Sequence, residues 1–119
     1  MANIHRFIEP VLLYLLHQTG GSYGYELLTL LDEHALTDAS IEGASLYRTL
    51  QRLEENGRVS SEWHAAGSGP ARHKYKLTDS GEEHLNEWIT ALDQLSQSMA
   101  VFVEKAKANT PLNGTENRV

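Results

Sequence analysis

The chain contains no cysteine, which removes disulfides, thiolate nucleophiles and thiolate metal sites together. A reducing cytoplasm is its natural setting. Long apolar runs are missing as well. The longest, Val11 to Leu16, stops far short of the roughly 20 residues that a membrane span needs. No basic-then-apolar leader opens the chain, so no export signal and no membrane association are expected. Positive charge is also scarce: 10 Lys and Arg stand against 16 Asp and Glu, a formal net charge of −6. Taken as a sum, that argues against a nucleic-acid partner.

The apparatus of catalysis is absent too. There is no GxSxG elbow, and Gly67-Ser68-Gly69-Pro70 lacks the lysine and following helix of a phosphate loop. His5, His17, His34, His64, His73 and His84 are scattered, with no i, i+4 pair or HExxH pattern. Neither an enzyme nor a resident metal or cofactor is therefore expected, although His64 and His73 are placed to face each other across a hairpin. With 119 residues, 40% hydrophobic and 22% charged, the chain is one soluble domain, or one domain with an appended helix.

What is present is local order. Ile4 to Gln18 reads as a buried helix with Pro10 near its first turn, where a missing N–H costs nothing. Gly20-Gly21 ends it, Ser22 is a candidate N-cap, and a second helix runs from about Tyr23 to His34 with Leu27, Leu28, Leu30 and Leu31 inward. After a polar connection from Thr37 to Ser40 comes Gly43 to Gly57. Here Leu46, Leu50 and Leu53 recur at i, i+4, i+7, and the opposite side carries Ala44, Ser45, Arg48, Gln51, Arg52 and Glu55. Asn56-Gly57 stops that helix, since glycine accepts the left-handed conformation past a helix end. Three helices on short connections, the last with arginines outward, form a helix-turn-helix layout.

Beyond Gly57 the period changes to two. Val59, Ser61 and Trp63 alternate with Ser60, Glu62 and His64, which predicts a strand with one buried face. After the tip Ala65 to Ala71, a return strand alternates His73, Tyr75 and Leu77 with Arg72, Lys74 and Lys76. A hairpin with its cations on one face, directly after a helix-turn-helix, is the wing of a winged helix. A plain reading also exists, in which the lysines merely protect a solvated sheet edge. Thr78 or Asp79 is placed to cap a final helix from about Ser80 to Lys107. On it Leu85, Trp88, Leu92, Leu95, Met99, Phe102 and Ala106 are spaced alternately by three and four, a heptad stripe too long for so small a domain to cover. Its simplest partner is a second copy of the chain. Residues 109–119 read as a disordered tail.

Charge distribution gives the arginines a purpose. Arg48 to Lys76 holds six cations and three acids, so the remainder of the chain carries −9; Glu9 to Glu42 has no Lys or Arg at all. One basic surface on an acidic body is the pattern of a site. Arg48 and Arg52 are placed for guanine or phosphate, Gln51 for adenine, and Ser45 and Thr49 for phosphates. Arg72, Lys74 and Lys76 are placed for phosphates or a minor groove. A dimer on a two-fold operator in double-stranded DNA follows mechanically.

Four stretches also carry a family likeness. Leu46 to Gly57 (LYRTLQRLEENG) resembles the LYPxLxRLExxG signature of PadR-family transcriptional regulators. Ile8 to Leu12, Tyr23 to Leu27 and Gly69 to Gly81 agree in order and spacing. Arg48 stands where the family usually has proline. The resemblance implies a homodimeric, ligand-relieved repressor of the short subfamily, mainly α with a small β-hairpin. Its parts are a winged helix-turn-helix over residues 1–78 and a dimerisation helix over 79–108. It further implies that Tyr47 touches the DNA backbone, and that a small aromatic effector binds near the dimer interface against Phe7, Val11, Trp88, Leu92 and Met99. The stripe from Leu85 to Phe102 serves equally as plain dimer core. The rival reading is a winged helix that docks an acidic protein instead of DNA, and a weaker one is a metal or haem sensor.

Overall fold

The structure, a computed structural model, describes residues 8–34, 43–66 and 69–110. Among these the elements run α1 (Ile8–Thr19), β1 (Ser22–Tyr23), α2 (Gly24–Glu33), α3 (Gly43–Glu55), β2 (Val59–Ala66), β3 (Gly69–Leu77) and α4 (Asp79–Asn109). This is a winged helix followed by a long C-terminal helix, the expected α+β class. Phe7, the connection at 37–40, the tip residues 67–68 and the tail 111–119 lie outside the described residues.

Helix α1 is apolar on nearly every side, so it needs neighbours on nearly every side. Ile8, Val11, Leu12, Leu13, Leu15 and Leu16 are all buried, and the helix packs against α2, α3 and β3. Pro10 sits in its first turn, as its sequence position predicts. Leu27 and Leu31 of α2 and Leu46, Leu50 and Leu53 of α3 complete the core.

Ser22 does not cap α2. It forms the two-residue strand β1 with Tyr23, and the sheet order is β1-β3-β2, all antiparallel. The cap is supplied from inside the helix, where one Glu26 carboxylate oxygen accepts from the Tyr23 N–H and the Ser22 hydroxyl, each at 3.0 Å. Strand β1 pairs Ser22 with Tyr75 and Tyr23 with Lys74. Over this stretch β3 is therefore a central strand, and Lys74 does not protect an open edge.

Gly57 turns the chain out of α3 with φ of +77°, the left-handed value glycine adopts without a Cβ penalty. Two reversed bonds close the helix: Gly57 N–H donates to the Glu54 carbonyl (3.0 Å) and Arg58 N–H to the Leu53 carbonyl (2.9 Å). The same turn anchors α4. The Thr78 N–H donates to the Arg58 carbonyl at 3.1 Å. The Thr78 hydroxyl donates to the Gly57 carbonyl (2.7 Å) and accepts from the Gly81 N–H (3.0 Å), so Thr78 is the cap that the sequence left open between two candidates.

Residues 1–86 and 87–119 form two compact units. The expected boundary at 78/79 falls earlier than this, because the first turns of α4 belong to the winged helix: Leu85 is buried in its core and Gly81 lies against the backbone of the α3–β2 turn. Leu85 is therefore core of the first unit rather than the head of a dimerisation stripe. In the second unit Leu92 and Trp88 are half-buried, while Leu95, Met99 and Phe102 are exposed together with Ile89, Val101 and Val103. No helix among the described residues is long and apolar enough to cross a membrane.

A Cβ on Gly81 would strike the Arg58 carbonyl and approach Leu77 Cδ1 to 2.5 Å. Backbone cannot yield as a side chain can, so Gly81→Ala should cost about 1–3 kcal/mol and lower the melting temperature by several degrees in a thermal scan. Thr78→Val, which deletes one donor and one acceptor, should cost about 1–2 kcal/mol, with Thr78→Ser keeping most of the stability.

Candidate nucleic-acid interface

The leucine stripe of α3 lies inward as its spacing requires, but the buried face is wider than the stripe. Ser45 and Thr49 are 4% and 6% exposed. Each neighbours a stripe leucine, and at about 100° per residue it rotates to the core side. Thr49 spends its hydroxyl on the Ser45 carbonyl (2.9 Å), and Ser45 Oγ accepts from Arg48 Nη2 (3.2 Å). Ser45 does not stand on the outer face expected from the sequence, and neither hydroxyl is open to a phosphate. Tyr47, Arg48, Gln51 and Arg52 are exposed.

Three of these four are engaged, Arg48 with Ser45 as just given. Tyr47 lays its ring over α2's first residue: a Cβ on Gly24 would meet Tyr47 Oη and come within 2.6 Å of Cε1. Only glycine leaves room for that close approach. Arg52 Nη2 donates to Glu9 Oε1 at 2.9 Å, and Glu9 Oε2 pairs with His84 Nε2 at 2.7 Å. One carboxylate of α1 thus ties the arginine of α3 to the first turns of α4. The arginine end of this pair is 55% exposed and its carboxylate only 15%, so Arg52 is open to solvent while Glu9 is largely enclosed.

Pairing of β2 with β3 sets two faces. Ser60, Glu62 and His64 oppose Lys76, Lys74 and Arg72; Val59, Ser61 and Trp63 oppose Leu77, Tyr75 and His73. The cations share one face, as their alternation predicts. His64 and His73 lie on opposite faces and do not meet, which removes the paired-histidine idea. Among the described residues no group of His, Asp and Glu could hold a metal ion. The second face is buried only at its root. Val59 and Tyr75 are enclosed, but Trp63 is 67% exposed because the hairpin has by then passed beyond the helices.

Aromatic residues organise this region in a way the sequence did not reveal. Trp63 stacks on His73 at 4.3 Å between ring centres and 10° between planes. Arg72 Cζ lies 5.7 Å from the Tyr23 ring and 5.8 Å from Tyr25, and its Nη1 donates to the Tyr25 hydroxyl (3.2 Å). Lys74 Nζ lies 5.8 Å from the Tyr23 ring. Each such cation–π contact contributes roughly 0.5–1 kcal/mol at an exposed site. The only written sign of this was the Tyr23-Gly24-Tyr25 stretch, and nothing local says that β3 passes over it.

His73 is fixed at both nitrogens. Ser61 gives its one hydroxyl proton to Glu54 Oε2 (2.6 Å), so its oxygen accepts from His73 Nε2–H (2.7 Å). In the neutral imidazole Nδ1 is then the acceptor, and Tyr75 Oη donates to it at 3.0 Å. Burial, then the neighbouring Tyr47 and Glu54, push the Tyr75 phenol above its ordinary value near 10, which keeps it a donor. The chain Tyr75–His73–Ser61–Glu54 runs from the wing to the last turn of α3. Above it Tyr23, Tyr25, Tyr47, Trp63, Arg72 and Tyr75 surround a hollow of about 380 Å³.

Of the expected effector residues, Trp88 and Leu92 are half-buried and Met99 is exposed on α4. Val11 is buried in the core of the first unit, so it has no free surface to offer a ligand. Phe7 lies outside the described residues.

Comparison with known proteins bears on this geometry. Residues 12–87 match the model of the transcriptional regulator PadR-like family. A transcriptional regulator from Clostridium thermocellum is similar at 25% identity and a TM-score of 0.74, over 84% of this chain and 93% of that one. A PadR family transcriptional regulator from Eggerthella lenta is 32% identical, with a TM-score of 0.67 over 78% of this chain and 80% of that one. Bacillus subtilis PadR in complex with operator DNA matches at 25% identity and a TM-score of 0.62, over 70% of this chain but 47% of that one. With its winged helix spanned by the family model, the chain belongs to the PadR-like family of transcriptional regulators.

Proposed function

We propose that this regulator is a homodimeric, sequence-specific binder of double-stranded operator DNA. It acts in the cytoplasm as a repressor that a small aromatic effector relieves. The observation that carries the reading is the meeting of two elements: Tyr47 of α3 and Arg72 of the wing line one hollow. The outward side chains of α3 and the cations of β3 therefore border a single surface. Arg48, Gln51 and Arg52 supply the head that enters a major groove, and Arg72, Lys74 and Lys76 supply phosphate contacts beside it. Ser45 and Thr49 are left out, being buried. The relative solved with operator DNA supports DNA as the partner.

Dimerisation rests on the second unit. Leu95, Met99 and Phe102 follow the heptad spacing and are exposed in the single chain, with Ile89 and Val103 beside them. Such a row is an apolar seam that a second copy would cover. Two copies related by a two-fold axis would present two reading helices to half-sites one helical turn apart, about 34–36 Å. Trp88, Leu92 and Met99 are the candidate effector contacts that remain.

Affinity for the DNA upstream of its own reading frame should fall steeply between 50 and 200 mM salt, as ionic phosphate contacts require. Arg48→Ala and Lys76→Ala should each reduce the salt slope by about one per subunit. Arg52→Ala should weaken binding, whereas Glu9→Gln, which releases Arg52, should not. A flat salt response, or wild-type affinity in the arginine variants, would sink the assignment. In sedimentation, Phe102→Asp should convert a dimer to a monomer and lower DNA affinity with it; an unaltered dimer would dismiss the seam.

A further inference from the structure

The angle between α3 and the hairpin holds more open aromatic surface than folding requires. Trp63, Tyr25 and Tyr47 are 67%, 55% and 47% exposed, and all three line the same hollow. Single exposed rings need no explanation, but a cluster of them around one depression marks a contact surface. Trp63 is both the most exposed and the most firmly seated. Its indole lies flat on His73, and His73 is held at one nitrogen by Ser61 and at the other by Tyr75. Such support sets the ring in place before any partner arrives, which lowers the ordering cost of binding.

The surroundings say what kind of partner fits. Arg72 bonds to the neutral Tyr25 hydroxyl, and Lys74 rests against the Tyr23 ring. Glu62, which opposes Lys74 in the β2–β3 register, is paired with His64 at 2.9 Å. Rings edged by cations suit a polyanion that also presents apolar edges, namely the sugars and groove-lining base edges of duplex DNA. A small ligand fits less well, because pockets for such molecules enclose about 70–90% of the ligand surface and these rings stand open.

We propose that Trp63, seated on His73, is a DNA-contact residue of the wing. Its indole face packs against sugar or base edges in the groove that the hairpin enters, a non-ionic contact beside the ionic ones of Arg72 and Lys74. The assignment rests on the DNA-binding reading above and adds to it a residue outside the cationic face.

Salt separates the two kinds of contact. Using a duplex that the wild-type protein selects from a random pool, Trp63→Ala should lower affinity about tenfold and leave the slope of log affinity against log salt unchanged. Arg72→Ala should lower that slope by about one per subunit. Trp63→Phe should retain most of the affinity, and His73→Ala, which removes the seat but not the indole, should fall between. The chain has 2 tryptophans, so the difference in emission between wild type and Trp63→Phe reports Trp63 alone, and the duplex should quench it. Thermal scans should show all these variants folded, the exposed indole contributing little to stability. Wild-type affinity in Trp63→Ala, a loss accompanied by a changed salt slope, or unquenched Trp63 emission would each overturn the assignment. Quenching by micromolar naphthalene-2-carboxylate with exclusion of the duplex would hand the rings to a small aromatic ligand and overturn it as well. Absence of selection by the wild-type protein would remove the DNA reading and this assignment together.

Discussion

Four residues on two strands of backbone hold the working parts of this protein in register. Gly57 and Arg58 leave α3 through a left-handed turn, and their carbonyls receive the hydroxyl and the N–H of Thr78. Gly81 then lies against the Arg58 carbonyl too closely for any side chain. The end of α3, the root of both wing strands and the start of α4 thus share one knot of main chain. Each bond there is a modest net gain of about 1 kcal/mol. Its importance is geometric, because a shift at that turn moves the wing relative to α3.

A second set of contacts spreads from the first along the wing. Glu54 in the last turn of α3 receives Ser61, Ser61 receives His73, and His73 receives Tyr75. The direction of every donor in that chain follows from Ser61 having one proton and from a phenol being protonated at neutral pH, a state that burial favours further. The hairpin is therefore fixed to the reading helix by polar contacts as well as by Val59. This lets Trp63 stand open without letting it swing.

Much of the architecture was legible because it is periodic. The i, i+4, i+7 leucines of α3, the two-residue alternation of β3 and the glycine stop at Gly57 each encode a local geometry, and each is observed. What escaped depends on contacts between distant parts. Ser45 looked outward, and Ser45 and Thr49 looked free to donate, because a three-leucine stripe underestimates how wide a face a small domain covers. Ser22 looked like a cap because its pairing with Tyr75, fifty residues on, is not a local property. Leu85 fits the heptad and is nonetheless core, since the first turns of α4 pack before the seam begins. Trp63 alternated with the correct face, but alternation does not say where along a hairpin that face runs out of helices to touch.

The acidity of the chain does not conflict with a polyanionic partner, for a reason of range. At physiological salt the screening length is about 8 Å, so a carboxylate well beyond that distance weighs little on a phosphate at the wing. Two carboxylates near the proposed contact residues already have partners: Glu9 with Arg52 and His84, and Glu62 with His64. The Glu9 carboxylate lies between Arg52 and His84, and with Arg52 55% exposed but Glu9 only 15%, the arginine is the end of the pair that an incoming anion can reach. On the proposal that Arg52 meets DNA, a phosphate would replace that carboxylate as its partner, and His84 would remain beside Glu9, so the exchange would leave little unpaired charge along the way.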